Sequence, residues 1–246
     1  MTTRLFHISD VHFGIEDRDA LNSVADAVAR ERPDAVVCTG DLTQRAKHSE
    51  YAAAAEWFGS LGVPVWLDPG NHDMPYYNPV ERFTDPYRRY RRLKQQVASD
   101  YSSEDVVLVP LKTTVRAQRR FPWSDGVVTR KALGETLTRL AQLEGDPRTT
   151  IVTAHHPLLG PHDQTGNPTI GGDRAFAAIA AAGADAVISG HVHRPFDEVR
   201  ARGDHSARMI GAGTLSKRLR HGEPASYQTL TIEVDGTVEV ALRRLA

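Results

Sequence analysis

The chain has 246 residues and a formal net charge of −1, with 30 lysines and arginines against 31 aspartates and glutamates. This length allows one large domain or two small ones, and the balanced charge excludes a basic field over the whole molecule, although local basic patches remain. No run of about 18 apolar residues is present, so we expect no membrane span. The single cysteine excludes an intrachain disulfide, and the N-terminus has no apolar signal segment, so we expect a cytoplasmic protein.

Short apolar segments alternate with helical patterns along the first part of the chain. We predict strands at residues 5–9, 35–39 and 63–67 and helices at 20–30 and 49–61. Gly62 stands where a glycine ends a helix. This β-α-β-α-β order predicts a central sheet with helices packed on it.

The pattern changes after the third strand. Residues 75–105 are rich in Tyr, Arg and Pro, and we predict a partly helical excursion near the strand ends. Thr129 is a predicted N-cap, and Asp235 with Gly236 predicts a two-residue hairpin. Without an internal repeat or linker, the sequence predicts one domain over residues 1–246. Later strands are predicted at 106–109, 113–116, 151–154, 186–189, 208–211, 227–234 and 238–242, and later helices at 129–143 and 173–182.

Acidic, imidazole and amide side chains are concentrated in five short segments, each placed at or soon after the end of a predicted strand. Because α/β sheets gather ligands at the carboxyl ends of their strands, these segments are expected to meet in space. Their ligand types suit Mn, Fe, Zn or similar ions, and one bridging carboxylate would hold two such ions about 3.5–4 Å apart. The segments are residues 10–12, 40–41, 70–73, 155–157 and 190–193.

The spacing inside these segments supports a shared site. Asp10 and His12 are two residues apart and would project to one side of an extended segment, and His191 and His193 repeat that spacing. A glycine, which permits tight turns and close backbone approach, precedes Asp41, Asn71 and His191.

Each segment taken alone has an ordinary structural explanation. Asp10 and Asp41 could cap turns or helices, Gly70 with Asn71 could form a simple turn, and the histidines could be core or surface residues. The occurrence of all five segments at strand ends favours a metal site. We assign structural roles to the remaining histidines, of which His162 lies in a polar loop that could approach the site: His7, His48, His162, His205 and His221.

In combination, the five segments resemble the calcineurin-like metallophosphoesterase superfamily over residues 7 to about 195. Residues 40–44, the intact Asn71-His72-Asp73 sequence and the adjacent histidines are most similar to its bacterial class III cyclic-nucleotide phosphodiesterases and glycerophosphodiesterases. The resemblance implies an α/β fold in which two mixed sheets pack face to face between helices, a four-layer α/β/β/α sandwich.

The resemblance also implies a role for each site residue, with two divalent or trivalent metal ions (Mn, Fe or Zn) as cofactors. His72 would be catalytic, protonating the leaving oxygen or stabilising its charge, and it would bind the substrate phosphate together with Asn71. Asp73 would either orient His72 or brace the loop. The implied ligands are Asp10, His12 and His193 for the first metal, Asn71, His155 (rather than His156) and His191 for the second, and Asp41 as the bridge.

We therefore expect a phosphodiesterase that hydrolyses small phosphodiesters such as cyclic nucleotides by attack of a metal-bound hydroxide. The alternatives are a DNA or RNA exonuclease, a phosphomonoesterase and a nucleotide-lipid pyrophosphatase. A non-enzymatic scaffold is disfavoured because no implied ligand position is substituted. The sequence does not indicate an oligomeric state.

Two features bear on the substrate. Tyr76, Tyr77 and Asn78 could contact a base, sugar or other leaving group, or could pack the excursion onto the core. A polyanionic substrate would gain support if the three basic groups of the chain adjoin, and otherwise they are solvated surface charges. These groups are residues 88–94, 116–120 and 217–220.

Overall fold

The computed structural model describes residues 2–99, 101, 103–118, 124–161, 169–220 and 222–245. The predictions made for His162, His221, Arg119 and Arg120 lie outside these residues. The strands, numbered in chain order, are β1 Thr3–Ile8, β2 Ala35–Cys38, β3 Val65–Leu67, β4 Val106–Pro110, β5 Gly126–Val127, β6 Thr149–Thr153, β7 Thr169–Ile170, β8 Ala186–Ser189, β9 Phe196–Arg202, β10 His205–Gly211, β11 Ser226–Ile232 and β12 Val238–Arg244.

Two five-stranded sheets form the centre of the fold. The first has the order β12-β11-β1-β2-β3. In it β1, β2 and β3 are parallel to one another, and β11 pairs antiparallel with both of its neighbours, β1 and β12. The second has the order β4-β6-β8-β10-β9, in which all strands except β9 are parallel. Both sheets are therefore mixed, as predicted, and β5 and β7 form a small separate ladder.

The side-chain alternation of the strands separates three apolar layers. Leu5 and Val37 of the first sheet pack with Ile151 and Ile188 of the second, which places one apolar layer between the sheets. The opposite faces of the sheets bury their side chains against helices. Because successive side chains of a strand point to opposite faces, each sheet serves two layers at once.

Helices cover the outer face of each sheet, which confirms the four-layer α/β/β/α arrangement. The outer layer of the first sheet includes Val24, Phe58 and Leu93, and that of the second includes Leu140 and Phe176. The helices are α1 Arg18–Glu31, α2 His48–Ser60, α3 Pro79–Thr84, α4 Arg88–Val97, α5 Arg130–Ala141 and α6 Gly172–Ala181. Among the described residues, no helix is long and apolar enough to cross a membrane.

Local signals in the sequence located the helix ends well. Thr129 caps α5 by accepting a hydrogen bond from the Ala132 amide at 3.1 Å, as predicted. Gly62 follows α2 with a φ of +69°, in the left-handed region that a glycine tolerates after a helix.

Three predictions about strands were wrong. Residues 113–116 are irregular, although Thr113 accepts a backbone hydrogen bond from Val127. Strand β9 was missed because four of its seven residues are charged, which hides the apolar alternation of a strand: Asp197, Glu198, Arg200 and Arg202. The β11–β12 hairpin has a three-residue loop rather than a two-residue loop, because Glu233 pairs with Thr237 and Gly236 adopts a φ of +84°.

The predicted excursion at 75–105 is partly helical and contains α3 and α4. Tyr90 and Leu93 of α4 join the apolar layer under the first sheet, so this part of the segment belongs to the outer helix layer. That residues 1–246 form a single domain stays a prediction.

Candidate metal centre

All eight predicted site residues lie at the carboxyl ends of strands, and the two sheets bring these ends together. The loops after β1, β2 and β3 belong to the first sheet, and those after β6 and β8 to the second. The contacts between the two sets of loops show that the site spans both sheets. The first sheet supplies Asp10, His12, Asp41, Asn71 and His72, and the second supplies His155, His191 and His193.

One group of ligand atoms is formed by Asp10, His12 and His193, all of them buried. The Nε2 atom of His193 lies 3.0 Å from Asp10 Oδ1 and 3.3 Å from His12 Nε2. The third distance, from His12 Nε2 to Asp10 Oδ1, is 3.6 Å. These three side chains therefore converge on one small volume.

A second group forms around His155. Its Nε2 atom lies 3.1 Å from Asn71 Oδ1 and 3.4 Å from Asp41 Oδ1. The other oxygen of Asp41, Oδ2, lies 3.7 Å from His12 Nε2. The two oxygens of Asp41 thus face different groups, and the His191 ring lies 5.2 Å from that of His155.

The imidazole hydrogen bonds leave lone pairs directed into these groups. His155 Nδ1 donates to the Thr39 carbonyl at 2.8 Å, and His193 Nδ1 donates to the Arg218 carbonyl at 2.6 Å. Nδ1 of each ring therefore carries a proton, and Nε2 is the nitrogen that would bind a metal ion after losing any proton it holds, as in most metal-binding histidines. Asp10 Oδ1 is buried without a hydrogen-bond partner, which a cation would supply. This donor set fits metal ions.

The electrostatics of the site favour positive charge. Burial would raise the pKa of Asp10, but the neighbouring imidazoles of His193 and His12 hold that pKa well below its usual range. Burial opposes a charge on His155, yet Asp41 raises the pKa of His155 to about 9. Buried carboxylates that stabilise a cationic partner this strongly suit a site for multivalent cations.

His156 is not available as a ligand in this arrangement, although it lies beside His155 and His191. Its Nε2 donates to the Ser124 carbonyl at 2.8 Å, and its Nδ1 lies 2.9 Å from Thr113 Oγ1. Both ring nitrogens are therefore engaged by the protein, which supports the choice of His155 over His156.

The backbone of the site differs from the extended geometry that we expected. Seven described residues other than glycine have a positive φ, and five of these are predicted site residues. They lie in a left-handed conformation that costs energy outside glycine and that clusters at functional sites. The residues converge at the strand ends as expected, but the extended geometry predicted for the closely spaced pairs was wrong. The five residues are Asp10, His12, Asp41, His191 and His193.

The predicted close approach at the glycines is confirmed at Gly70 and Gly190. A Cβ atom on Gly70 would lie 2.1 Å from both the amide nitrogen and Oδ1 of Asp41. A Cβ atom on Gly190 would lie 2.6 Å from Asp10 Oδ2. Both glycines therefore allow one site loop to touch another.

His72 stands at the edge of the two groups with both ring nitrogens contacted. Its Nδ1 donates to the Gln44 carbonyl at 2.7 Å, and its Nε2 accepts from Arg218 Nη1 at 3.0 Å. Burial lowers the pKa of His72. Although His72 lies near His12 and Asp41, the guanidinium facing Nε2 argues against a role as a metal ligand.

Asp73 makes the contacts of a loop brace, one of the two roles that the sequence left open. Its carboxylate accepts hydrogen bonds from the amides of Leu42 at 3.1 Å, Thr43 at 2.8 Å and Gly70 at 2.8 Å. These bonds tie the loop that carries Asp41 to the loop that carries His72. Burial, followed by the charge of Asp41, raises the pKa of Asp73 to about 7 despite these donors.

Sequence analysis missed the contribution of the loop after β10. Thr214 Oγ1 donates to the Asp10 carbonyl at 2.7 Å, and Arg218 reaches both His72 and His193. A signal was available, because a strand was predicted at residues 208–211 and two other parallel strands of this sheet, β6 and β8, end at site residues. These residues were missed because they are not typical metal ligands.

A sandwich of two sheets with clustered aspartates and histidines at the strand ends defines a class of metal-dependent phosphoester hydrolases. The family model described as calcineurin-like phosphoesterase matches residues 3–195. The chain belongs to this family, which is dinuclear and metal-dependent.

Two curated relatives and one solved structure illustrate the similarity. An Enterobacter lignolyticus protein named "Glycerophosphodiester phosphodiesterase GpdQ" is 44% identical over 82 residues, which cover 28% of this chain and only 29% of that relative. A Synechococcus protein named "Probable cyclic nucleotide phosphodiesterase" is 25% identical over 96% of this chain and 90% of its own length. The fold resembles that of a dimetal phosphatase from Danio rerio, with a TM-score of 0.68, 13% identity and 99% coverage of both chains.

Proposed function

We propose that the chain is a phosphodiesterase that hydrolyses small phosphodiesters, with cyclic nucleotides as the leading candidates. The proposal assigns one metal ion to Asp10, His12 and His193 and a second to Asn71, His155 and His191, with Asp41 bridging them. The observation that carries it is the position of Asp41, whose Oδ2 lies 3.7 Å from His12 and whose Oδ1 lies 3.4 Å from His155. The names of both curated relatives support a diester substrate.

The side chains around the proposed metals have separate tasks. When bound, two cations supply Lewis-acid stabilisation of phosphoryl charge and lower the pKa of coordinated water. The Gln44 carbonyl holds His72 Nδ1, and Nε2 faces Arg218. Once the Arg218 side chain turns away, Nε2 would protonate the leaving oxygen or stabilise its charge. Asn71 and His72 would contact the phosphoryl group.

The basic residues of the excursion favour a small substrate over a nucleic acid. Arg88 lies 3.0 Å from Glu81, Arg89 contacts the same carboxylate, and Arg91 lies 2.6 Å from Asp85. Two carboxylates thus neutralise part of the positive charge of this group, which weakens the case for a polyanionic substrate.

The identity of the metal ions and the cellular compartment of the protein are also part of the proposal. A donor set of carboxylates, imidazoles and one amide suits Mn, Fe or Zn, and we propose a pair drawn from these ions. A reducing cytoplasm accords with the single cysteine, Cys38, which is buried and free.

The test compares hydrolysis of bis(p-nitrophenyl) phosphate with that of p-nitrophenyl phosphate. Metal-stripped protein should be inactive and should recover diester hydrolysis with Mn²⁺ at about two ions per chain. His72→Ala should lower turnover about 10²–10⁴-fold without loss of metal. Asp41→Asn should lose occupancy at both metal positions.

His205→Ala is the matched control, because His205 is exposed at the β9–β10 turn and should leave activity unchanged. Activity on the monoester alone would replace the proposal with a phosphatase. Inactivity on both compounds and on a cyclic-nucleotide panel, in fully metallated protein, would favour a scaffold. Two occupied metal positions in Asp41→Asn would contradict the bridge.

A further inference from the structure

Two tyrosines beside the site are turned towards solvent rather than packed onto the core. Tyr76 and Tyr77 are 66% and 64% exposed. Their rings meet edge to face, with centroids 5.1 Å apart and an interplanar angle of 82°. Of the two roles open to these rings from the sequence, packing the excursion onto the core is therefore excluded. Asn78 is different, because its side chain caps α3 by accepting from the Glu81 amide at 3.0 Å.

The guanidinium of Arg45 lies close to both tyrosine rings. The Arg45 guanidinium carbon lies 5.2 Å from the Tyr76 ring centroid and 5.5 Å from that of Tyr77. Arg45 also donates a hydrogen bond to the Tyr77 hydroxyl, so its side chain contacts phenol groups rather than a carboxylate. We call Arg45, Tyr76 and Tyr77 the tyrosine platform.

The tyrosine platform is built on the two loops that hold His72. Arg45 follows Gln44, whose carbonyl accepts the His72 Nδ1 proton at 2.7 Å. Tyr76 and Tyr77 follow His72 in the chain, four and five residues on. The chain segments that carry the platform thus adjoin the residue proposed to face the leaving oxygen.

Hydrogen bonds to α2 residues hold both loops in place. The Arg45 amide donates to the buried carboxylate of Glu50 at 2.8 Å. The Tyr51 hydroxyl donates to the Asp73 carbonyl at 2.6 Å, which fixes the chain shortly before the tyrosines. The rings are therefore presented to solvent by an anchored backbone, which lowers the entropic cost of binding.

We propose that the tyrosine platform stacks the planar ring of the substrate's leaving group, so that the preferred diesters carry a nucleobase on the alcohol that departs. This inference rests on the phosphodiesterase function proposed above. Phenol rings and a guanidinium are the groups on which nucleobases stack, and such stacking tolerates any base. The two alcohols of glycerophosphoethanolamine, glycerol and ethanolamine, have no π-face, so either one as the leaving group would gain nothing from these residues.

The experiment measures kcat/KM for 3′,5′-cyclic AMP and for glycerophosphoethanolamine, two diesters of which only the first carries a planar ring. The double variant Tyr76→Ala/Tyr77→Ala should lose about tenfold to a hundredfold in kcat/KM for cyclic AMP and less than about twofold for the glycerol diester. Arg45→Gln should show the same selectivity with a smaller loss.

Phe83→Ala is the matched control, because Phe83 is 53% exposed in α3 of the same excursion but is not part of the platform. It should leave both substrates unchanged. If the double variant lost kcat/KM equally for both diesters, or lost none, the stacking role of the platform would be overturned while the phosphodiesterase function stands. A change in oligomeric state of the double variant in sedimentation velocity would instead assign the rings to self-association and overturn the proposal.

A binding measurement separates failure of the platform from failure of the proposed function. If the wild-type protein hydrolyses neither diester, calorimetric binding of AMP to the metallated wild type and double variant still tests the platform. Weaker binding by at least about fivefold in the variant would support stacking. Equal affinity would overturn it.

Discussion

The guanidinium of Arg218 donates a hydrogen bond to the Nε2 atom of His72 over 3.0 Å. Because a guanidinium only donates, Nε2 must accept and must carry no proton while this contact exists. The carbonyl of Arg218 meanwhile accepts from His193 Nδ1 at 2.6 Å. One residue thus connects a predicted metal ligand with the predicted catalytic histidine, and its side chain must turn away from Nε2 when His72 holds a proton there.

Arg218→Ala should separate these two contacts. The backbone carbonyl remains, so we expect unchanged metal content, whereas loss of a cation beside the phosphoryl site should lower kcat/KM about 10- to 100-fold. Metal analysis and diester kinetics check this. Lys217→Ala, at the exposed neighbouring position, should have no effect. Loss of metal from Arg218→Ala would show that the side chain mainly supports the loop.

Gly70→Ala should damage the metal centre through backbone sterics. The new Cβ would lie 2.1 Å from the Asp41 amide nitrogen, so the Asp41 loop must move. We expect weaker metal binding in titrations and a loss of about 1–3 kcal/mol in the free energy of unfolding. Gly134→Ala is the control, because a Cβ there meets no atom within 4 Å and the residue lies inside α5. That change should stabilise the protein by about 0.5–1 kcal/mol.

Asp73→Asn should weaken the loop rather than the chemistry. The carboxylate accepts from three backbone amides, and an Asn side chain would turn an NH₂ group towards at least one of them. We expect a loss of about 1–3 kcal/mol in urea unfolding. Asp85→Asn, at a partly exposed ion pair, should cost less than about 1 kcal/mol. Unchanged stability with an altered dependence on the leaving group would instead mean that Asp73 orients His72.

His7 should make stability depend on pH. Burial lowers the pKa of His7 from 6.5 to about 4, with Gln228 and Asp10 opposing, and its Nε2 lies 3.0 Å from Thr39 Oγ1. Between pH 6.5 and 4, His7 binds a proton in the unfolded chain but not in the folded protein. The folded state is therefore fully stable above pH 6.5 with respect to this group, and its free energy of unfolding falls as the pH decreases towards 4. The loss is at most about 3 kcal/mol.

The measurement is urea unfolding of metal-free wild-type and His7→Asn protein between pH 6.5 and 4. The free energy of unfolding of the variant should fall less steeply with decreasing pH than that of the wild type, whatever its overall stability. The difference in slope should correspond to about one proton. Parallel curves would show that His7 does not titrate differently on folding.

The predictions for individual residues show which features of the structure can be inferred from the sequence. Thr129 and Gly62 locate helix ends because capping is local chemistry. The irregular course of 113–116 was missed because apolar residues in a short run do not reveal whether a partner strand lies beside them. The role of Asp73 was undecidable because its hydrogen-bond partners, Leu42 and Thr43, lie about thirty residues away in the chain.

By itself, the sequence determined most of the strands and helices and the residues that follow the strand ends, because side-chain periodicity and ligand chemistry are properties of neighbouring residues. Only the tertiary structure decided that Asp41 faces both ligand groups, that His156 is engaged by Thr113 and Ser124, and that Arg218 reaches His72. These relations depend on how two sheets pack and on left-handed backbone turns. Both arise from contacts between distant segments, which spacing along the chain does not encode.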